Sequence, residues 1–190
     1  MAATAGCLGS VFGDSGEVVL SEQEDGYDSD SLPYPNYSEP FPEIELPDPI
    51  AETTVSTAES PLEDETLLVT AFYAFCPSQC LLLIRALAEV QSKLLEAGVE
   101  DVTILAITFD PERDTAAKLR EYADRMNVDL EAGNWHYLRP EDADAAADVV
   151  RDDLGIVYER DGGTESAYEF THQTITFLVN PDRYVERVYH

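Results

Sequence analysis

The sequence predicts one α/β domain, in which helices flank a mixed central sheet, preceded by an acidic tether. Two observations support this prediction. Apolar runs typical of buried strands alternate with helical patterns from about residue 65 onward, and the chain closes on two strands joined by a turn. The first 60 residues are instead rich in proline, serine and acidic residues. That composition is typical of an extended, self-repelling linker.

The first strand and the first helix have the clearest patterns. Residues 67–75 form a continuous apolar run, as expected for a strand buried on both faces. Cys76 and Pro77 interrupt this run, and residues 79–97 then carry apolar side chains at helical spacing. Gly98 is a suitable stop for the helix. A cysteine therefore lies at a strand-to-helix junction.

The remaining elements follow in the order strand, helix, short strand, helix and a terminal antiparallel hairpin. We expect them at residues 102–109, from 114 or 115 to about 126, at 135–138, at 141–154, and at 173–179 and 184–189. This order is the thioredoxin-like arrangement, an α/β sandwich with a mixed sheet. The sequence stops directly after a strand, so we expect the final helix that is usual in such folds to be missing.

The net charge limits the choice of partners. The 190 residues include 39 acidic and 11 basic ones, which gives a formal net charge of −28. Acidic residues continue through the second half of the chain, and only Lys93 and Lys118 are lysines. This surface chemistry resembles that of haloarchaeal proteins, which function in high salt, where charges are strongly screened. Nucleic acid is not an expected partner, because its phosphates would be repelled.

The first seven residues indicate how the protein is localised. Thr4-Ala5-Gly6-Cys7 resembles a lipobox, at which a lipoprotein precursor is cleaved and its cysteine lipidated. The charged and apolar regions that should precede a lipobox are absent from the sequence, so an ordinary N-terminal cysteine is the alternative. We expect residues 1–7 to be the remnant of a lipoprotein signal, 8–60 a disordered acidic linker and 61–190 the domain.

The same residues predict an extracytoplasmic protein that a lipid on Cys7 tethers to the outer face of the cell membrane. The sequence has no run of about 18 apolar residues that would form a transmembrane helix. We therefore expect the lipid to be the one contact with the membrane, and the protein to be a monomer.

The cysteine pair Cys76 and Cys80 carries the strongest chemical signal. Unpaired N–H groups and the helix dipole at a helix N-terminus favour the thiolate over the thiol. Residues four apart lie on one face of a helix, with Cβ atoms about 5–6 Å apart. Two such thiolates can converge on one metal ion or approach disulfide geometry. A thioredoxin-type redox site has two residues between its cysteines, and this pair has three.

A third ligand has to come from elsewhere, and His172 is the best candidate. It precedes the strand at residues 173–179, in a segment that thioredoxin-like folds place beside the cysteine motif. Two thiolates and one imidazole suit Cu(I) and also hold Cu(II). A zinc site with three ligands and a water is the alternative metal site. A structural disulfide or an inert buried pair is the alternative without metal.

Four motifs, in the same order along the chain, resemble the Sco/SenC family of copper-binding thioredoxin-fold proteins. They are Cys76-Pro77-Ser78-Gln79-Cys80 after its strand, Thr108-Phe109-Asp110-Pro111-Glu112-Arg113-Asp114-Thr115, Asn134-Trp135-His136-Tyr137-Leu138, and Thr171-His172 followed by a strand and Asn180-Pro181-Asp182. The similarity covers about residues 65–189. It implies one copper ion held by Cys76, Cys80 and His172, and a role in building the binuclear copper site of cytochrome oxidase.

The loop that contains Asp110 and Asp114 lies near the metal in the resembling family. Both carboxylates are therefore candidates for orienting His172 or handling protons, although Asp114 is equally suited as the N-cap of the second helix. The chain departs from the family pattern at Leu81, where a proline is usual. It also departs at Ala74-Phe75, which replace a tyrosine or threonine.

Two functions from different classes follow. The first is a copper metallochaperone, not an enzyme, that passes Cu(I) or Cu(II) to the copper-site subunit of cytochrome oxidase or to another copper carrier. The second is a thiol–disulfide oxidoreductase with Cys76 and Cys80 as catalytic residues, which reduces cysteines of that subunit before copper enters. His172 favours copper, because a purely redox pair does not need it. A peroxiredoxin-like peroxidase ranks lowest, because Tyr73 stands where that class needs threonine.

Overall fold

A five-stranded mixed sheet forms the centre of the computed structural model, which describes residues 18–22, 32–59, 61–77, 79–164 and 167–190. Its strands are β3 (Thr66–Phe72), β4 (Val102–Thr108), β5 (Trp135–Leu138), β8 (Thr176–Val179) and β9 (Val185–Tyr189). The strand order is β5-β4-β3-β8-β9. β3 is central, parallel to β4 and antiparallel to β8. The predicted α/β fold with a mixed sheet is confirmed.

Two helices end close to where the sequence predicts. α1 (Gln79–Ala97) has the predicted bounds, and α2 (Ala116–Met126) begins after its N-cap Thr115. Phe72 of β3 stacks on Tyr122 of α2 with ring centroids 5.5 Å apart, which joins this helix to the sheet. No helix in the described part of the chain is both long and apolar enough to cross a bilayer.

The third helix differs from the continuous helix that the sequence predicts at residues 141–154. α3 (Ala143–Ala147) is followed by a π-helical turn over Asp148–Asp153. Ala146, Val150 and Leu154 recur every four residues and all are fully buried. An α-helix with 3.6 residues per turn would rotate such a series away from the core. The wider π-turn counters this rotation.

The predicted disordered linker is wrong for residues 41–59, which fold onto the domain. β1 (Glu45–Asp48) and β2 (Thr53–Ser56) form an antiparallel hairpin. Leu46 and Val55 of this hairpin are buried in the main core. Pro47 lacks an N–H donor and is tolerated because β1 is an edge strand of a two-stranded sheet, and its carbonyl accepts a hydrogen bond from the Arg139 N–H at 2.9 Å. Apolar burial therefore outweighs the proline-rich composition.

Residues 32–40 also contact the domain. The Tyr34 ring lies edge-on to Phe177 of β8, with centroids 6.3 Å apart. Gly155 has a φ of +63°, and a Cβ atom there would lie 1.9 Å from the Pro33 carbonyl oxygen, so this close approach requires glycine. Of the predicted linker, residues 8–17, 23–31 and 60 lie outside the described residues, as does Cys7.

A second hairpin, which the sequence did not reveal, lies next to the sheet. It consists of β6 (Tyr158–Thr164) and β7 (Ala167–His172). Tyr158 stacks on Phe109 with ring centroids 4.6 Å apart, and Phe170 meets Phe109 edge-on at 5.3 Å. Phe109 directly follows β4, so the hairpin packs at the end of the sheet that also carries Cys76. His172 is the last residue of β7.

Candidate metal centre

The two cysteines lie where β3 leads into α1. Cys80 is the second residue of α1, and its backbone N–H donates to the Sγ atom of Cys76 at 3.4 Å. Both thiols are buried and neither forms a disulfide. A free N–H group at a helix N-terminus stabilises negative charge on its acceptor. The start of α1 therefore favours the thiolate form of Cys76.

His172 meets both sulfur atoms from the other side. Its Nε2 atom lies 3.2 Å from Cys80 Sγ and 3.9 Å from Cys76 Sγ. Its Nδ1 atom lies 2.9 Å from the Gln173 carbonyl oxygen. A carbonyl oxygen only accepts hydrogen bonds, so Nδ1 carries the proton and Nε2 directs its lone pair at the sulfurs. The backbone thus fixes the tautomer that a metal ligand needs.

The three side chains fit one metal ion. Their ligand atoms all lie within 4.8 Å of one another. Two atoms that share a metal lie within about two bond lengths, roughly 4.6 Å for a metal–thiolate bond of about 2.3 Å. Two sulfurs and one imidazole nitrogen are donors that suit copper, whereas magnesium and calcium require oxygen ligands. The Cys-x-x-x-Cys pair with His172 is therefore consistent with a copper site.

Burial of the two cysteines changes the acidity of groups at this centre. Burial raises the pKa of the Cys80 thiol far above its usual range, and the neighbouring Cys76 adds to this effect. Burial also raises the pKa of Tyr73 to about 12. At neutral pH the metal-free protein therefore keeps a proton on Cys80. A cation that binds there replaces this proton, so binding should be coupled to proton release.

Aromatic side chains enclose the imidazole. The rings of Tyr73 and Phe109 lie 5.8 and 5.3 Å from the His172 ring. The Tyr73 hydroxyl accepts a hydrogen bond from the Phe170 N–H at 3.3 Å, which ties β7 to the chain leading to Cys76. Tyr73 and Phe109 were not singled out from the sequence as parts of the site. Each reads there as an ordinary core residue, and only the tertiary arrangement places it around His172.

Asp114 supports the loop that leads from β3 to Cys76. It is fully buried, and its Oδ2 atom accepts hydrogen bonds from the Ala74 N–H at 3.0 Å and the Thr108 hydroxyl at 2.5 Å. Burial raises the pKa of Asp114 to about 6. The side chain that caps α2 belongs to Thr115, not to Asp114. Asp114 therefore fixes the turn before Cys76.

Asp110 is joined to the β6–β7 hairpin. It forms an ion pair with Arg113 and accepts a hydrogen bond from the Tyr168 hydroxyl at 2.6 Å. The Arg113 guanidinium lies 3.6 Å from the centroid of the Tyr168 ring and 4.9 Å from that of Phe75. Within the described residues, neither Asp110 nor Asp114 is hydrogen-bonded to His172. Asp110 instead holds β7, the strand that ends at His172.

A cavity of about 360 Å³ opens beside Cys76. Phe75, Pro77, Leu81, Lys118 and Arg125 contribute to its lining. Phe75 is 46% exposed although it is a large apolar side chain, whereas Cys80 is fully buried. The cavity therefore provides an approach to the cluster on the side of Cys76, in addition to the partly exposed His172.

Comparisons with known proteins agree with this geometry. The model of the SCO1/SenC family matches residues 50–190. A SCO1 protein homolog from Bacillus subtilis is 24% identical over 128 residues, which cover 67% of this chain and 63% of that relative. The match thus spans less than two thirds of the length of the curated relative.

Solved structures share the fold. A SCO1/SenC family lipoprotein from Bacillus anthracis superposes with a TM-score of 0.67 at 16% identity, covering 83% of this chain and 85% of that one. Arabidopsis thaliana ScoI with copper bound gives 0.58 at 22% identity, covering 79% and 85%. BsSco, described with a disulfide switch and as a member of the Sco family of cytochrome c oxidase assembly proteins, gives 0.63 at 22%, covering 82% and 84%.

Proposed function

Because this chain belongs to the SCO1/SenC family, we propose that it carries one copper ion on Cys76, Cys80 and His172. We propose further that it delivers this ion during assembly of the binuclear copper site of cytochrome oxidase. The observation that carries the proposal is the convergence of two sulfurs and Nε2 within 4.8 Å. Two relatives of the same fold support it, one bound to copper and one described as an oxidase assembly protein.

Delivery would proceed from the side of Cys76. Cys80 is fully buried, whereas Cys76 borders the cavity. A receiving thiolate or imidazole that enters the cavity reaches the metal on the Cys76 side, while Cys80 and His172 still hold it. The receiving protein would be the copper-site subunit of the oxidase or another copper carrier. Asp110 and Asp114 act as supports in this proposal, through β7 and the cysteine loop respectively.

The second candidate function is thiol–disulfide exchange. It is favoured by the asymmetry of the pair, because a helix N–H stabilises a Cys76 thiolate while burial keeps Cys80 protonated. Cys76 would attack a partner's disulfide, forming a mixed disulfide and releasing one of the partner's thiols. Cys80 would then attack Cys76 Sγ, which releases the second thiol as the internal disulfide forms. Two electrons and two protons thereby pass to the partner. The imidazole directed at both sulfurs has no role in this exchange, so copper remains the first candidate.

The proposal also covers where the protein is located and the salt concentration in which it functions. We propose that a lipid on Cys7 tethers a monomer to the outer face of the cell membrane, as the description of the Bacillus anthracis relative as a lipoprotein supports. The net charge of −28 supports a role in high salt. Neither the location nor the medium is needed for the copper site itself.

Replacing His172 tests copper against cysteine-only chemistry. In His172→Ala and His172→Phe we expect Cu(I) affinity to fall moderately, because two thiolates still hold Cu(I) in linear geometry. We expect the thiolate-to-Cu(II) absorption band to be lost or strongly shifted, since Cu(II) prefers nitrogen and higher coordination. Absorption spectra and a competition titration measure both effects. The matched control His190→Ala changes a histidine that follows β9 and is not part of the cluster of Cys76, Cys80 and His172, so it should leave the band intact.

The phenylalanine variant separates ligation from packing. Loss of ring contacts with Tyr73 and Phe109 in His172→Ala should cost about 0.5–1.5 kcal/mol per pair, whereas His172→Phe retains a ring. The melting temperature of the metal-free protein measures this cost. An unaltered Cu(II) band in both variants would rule out His172 as a ligand and make thiol–disulfide exchange the leading function.

A further inference from the structure

One buried carboxylate holds an N-terminal segment of this chain. Glu186 of β9 is only 4% exposed. Its Oε1 atom accepts a hydrogen bond from the Val19 N–H and its Oε2 atom from the Leu20 N–H, each at 2.7 Å. The Tyr37 hydroxyl donates to the Leu20 carbonyl oxygen at 2.7 Å. Two side chains thus bind three backbone groups of two consecutive residues.

Hydrogen bonds within the domain hold the Glu186 carboxylate in position independently of Val19 and Leu20. Asn180 donates from Nδ2 to Glu186 Oε1 at 2.8 Å, and its own Oδ1 accepts a hydrogen bond from the Tyr184 N–H at 2.9 Å. Among the described residues, the Leu20 N–H is the one donor to Oε2. A buried carboxylate without hydrogen-bond donors is costly. The segment therefore completes a site that the end of the sheet has already shaped.

This site lies at the end of the sheet opposite the metal centre. β8 runs antiparallel to β3, with Val179 beside Leu67 near the start of β3. Val185 pairs with Val179, so Glu186 is also near the start of β3. Cys76 follows the other end of that strand. The five-residue step from Leu67 to Phe72 alone spans about 17 Å at roughly 3.3 Å per residue.

We propose that Glu186, Asn180 and Tyr37 form a binding site for the backbone of Val19 and Leu20. We name this site the N-terminal clasp. The chain before Val18 then leaves the domain at the end opposite Cys76, and the metal centre faces away from whatever holds the N-terminus. The clasp does not depend on the copper proposal. Only its consequence at a membrane rests on the proposed lipid at Cys7.

The consequence is a short, oriented tether. Cys7 precedes Val18 by 11 residues, which span at most about 40 Å when fully extended. With the clasp open, the next residues held on the domain begin at Leu32, and the 25 residues from Cys7 to Leu32 could span about 90 Å. With the clasp closed, a lipid-anchored protein stays close to the bilayer and directs the cavity beside Cys76 outward, toward a partner.

Paramagnetic broadening in the full chain tests the clasp. A nitroxide on Cys7, in a Cys76→Ser, Cys80→Ser background, should broaden backbone amide signals most strongly around residues 180–184 and least around residues 73–77. Leu20→Pro removes the N–H that Oε2 accepts, in a segment outside the sheet. We expect this variant to spread the broadening over the surface. The matched control Glu22→Pro changes an N–H that the clasp does not use and should retain the wild-type pattern.

Amide exchange provides a second readout. The Val19 and Leu20 amides should exchange at least about tenfold faster in Glu186→Gln, because the amide side chain keeps one acceptor oxygen and presents an NH₂ group to the other donor. Glu45→Gln, an equal charge change at an exposed site of β1, should leave both rates unaltered. If Glu186→Gln fails to fold, Tyr37→Phe should also accelerate exchange of these amides, and it changes no residue of the sheet. Broadening that is uniform or centred on the cysteine loop in the wild type, or unchanged exchange in both variants, would overturn the proposal.

Discussion

Replacing either Cys76 or Cys80 by serine is expected to abolish high-affinity Cu(I) binding. A serine hydroxyl stays protonated and is a hard donor, so it does not replace a thiolate at a soft metal. Loss of a side chain that supports a metal ligand lowers metal affinity by about 10–100-fold. Loss of a ligand itself should lower the Cu(I) affinity by more than this. Anaerobic competition against a coloured Cu(I) chelator measures the change.

The chain provides its own control for this prediction. Besides Cys76 and Cys80, the sequence contains one other cysteine, Cys7. Cys7→Ser should bind Cu(I) as the wild type does. Cys80 is fully buried, so Cys80→Ala should be compared with Cys80→Ser to separate loss of the ligand from burial of a hydroxyl. Wild-type affinity in either the Cys76 or the Cys80 variants would contradict the assignment of both sulfurs.

Molar salt is expected to raise the melting temperature steeply. The formal net charge is −28, and in the described residues only three ion pairs join an acidic side chain to a lysine or arginine. Repulsion among unpaired carboxylates therefore opposes folding at low salt. The screening length falls from about 10 Å at 0.1 M to about 3 Å at 1 M salt, which removes most of this repulsion.

Thermal unfolding in a potassium chloride series measures the effect. For a chain of this size, each kcal/mol gained raises the melting temperature by about 2–4 °C. Sucrose, which favours the compact state without screening charge, serves as the control and should not reproduce the slope. A melting temperature that is equal at 0.1 M and at molar salt would contradict the proposed adaptation to high salt.

The sequence predicted the central elements because their patterns are local and strong. The apolar run that became β3 and the helical spacing of α1, closed by Gly98, specify their structures without reference to the rest of the fold. Cys80 is the second residue of α1, as predicted, whereas Cys76 precedes this helix, so the expectation that both cysteines lie on one helix face is wrong.

The β6–β7 hairpin could not be predicted in this way. Tyr158–Thr164 contains three charged residues and two glycines, and most of its side chains are exposed, so it lacks the alternation that marks a strand. Its position comes from ring contacts of Tyr158 and Phe170 with Phe109, residues distant in sequence. The same holds for β1, because Pro47 is atypical of a strand and the sequence therefore did not indicate that Leu46 is buried.

The roles of the two carboxylates also depended on tertiary contacts. The family resemblance implied that the loop of Asp110 and Asp114 lies near the metal, but it did not show what each carboxylate holds. The structure separates their roles. Asp114 accepts a hydrogen bond from the Ala74 N–H in the loop before Cys76, whereas Asp110 accepts one from the Tyr168 hydroxyl on β7. One carboxylate therefore positions the sulfurs, and the other supports the strand that carries His172.

Anaerobic Cu(I) titration of the reduced Cys7→Ser protein, followed by alkylation and mass spectrometry, tests the copper site most directly. Alkylation should run long enough to modify both thiols fully in the metal-free protein, because both are buried. We expect binding to saturate at one copper per chain, with Cys76 and Cys80 protected together. Absence of saturation at one equivalent, or alkylation of both thiols at the metal-free rate in the presence of copper, would contradict a copper site on Cys76, Cys80 and His172.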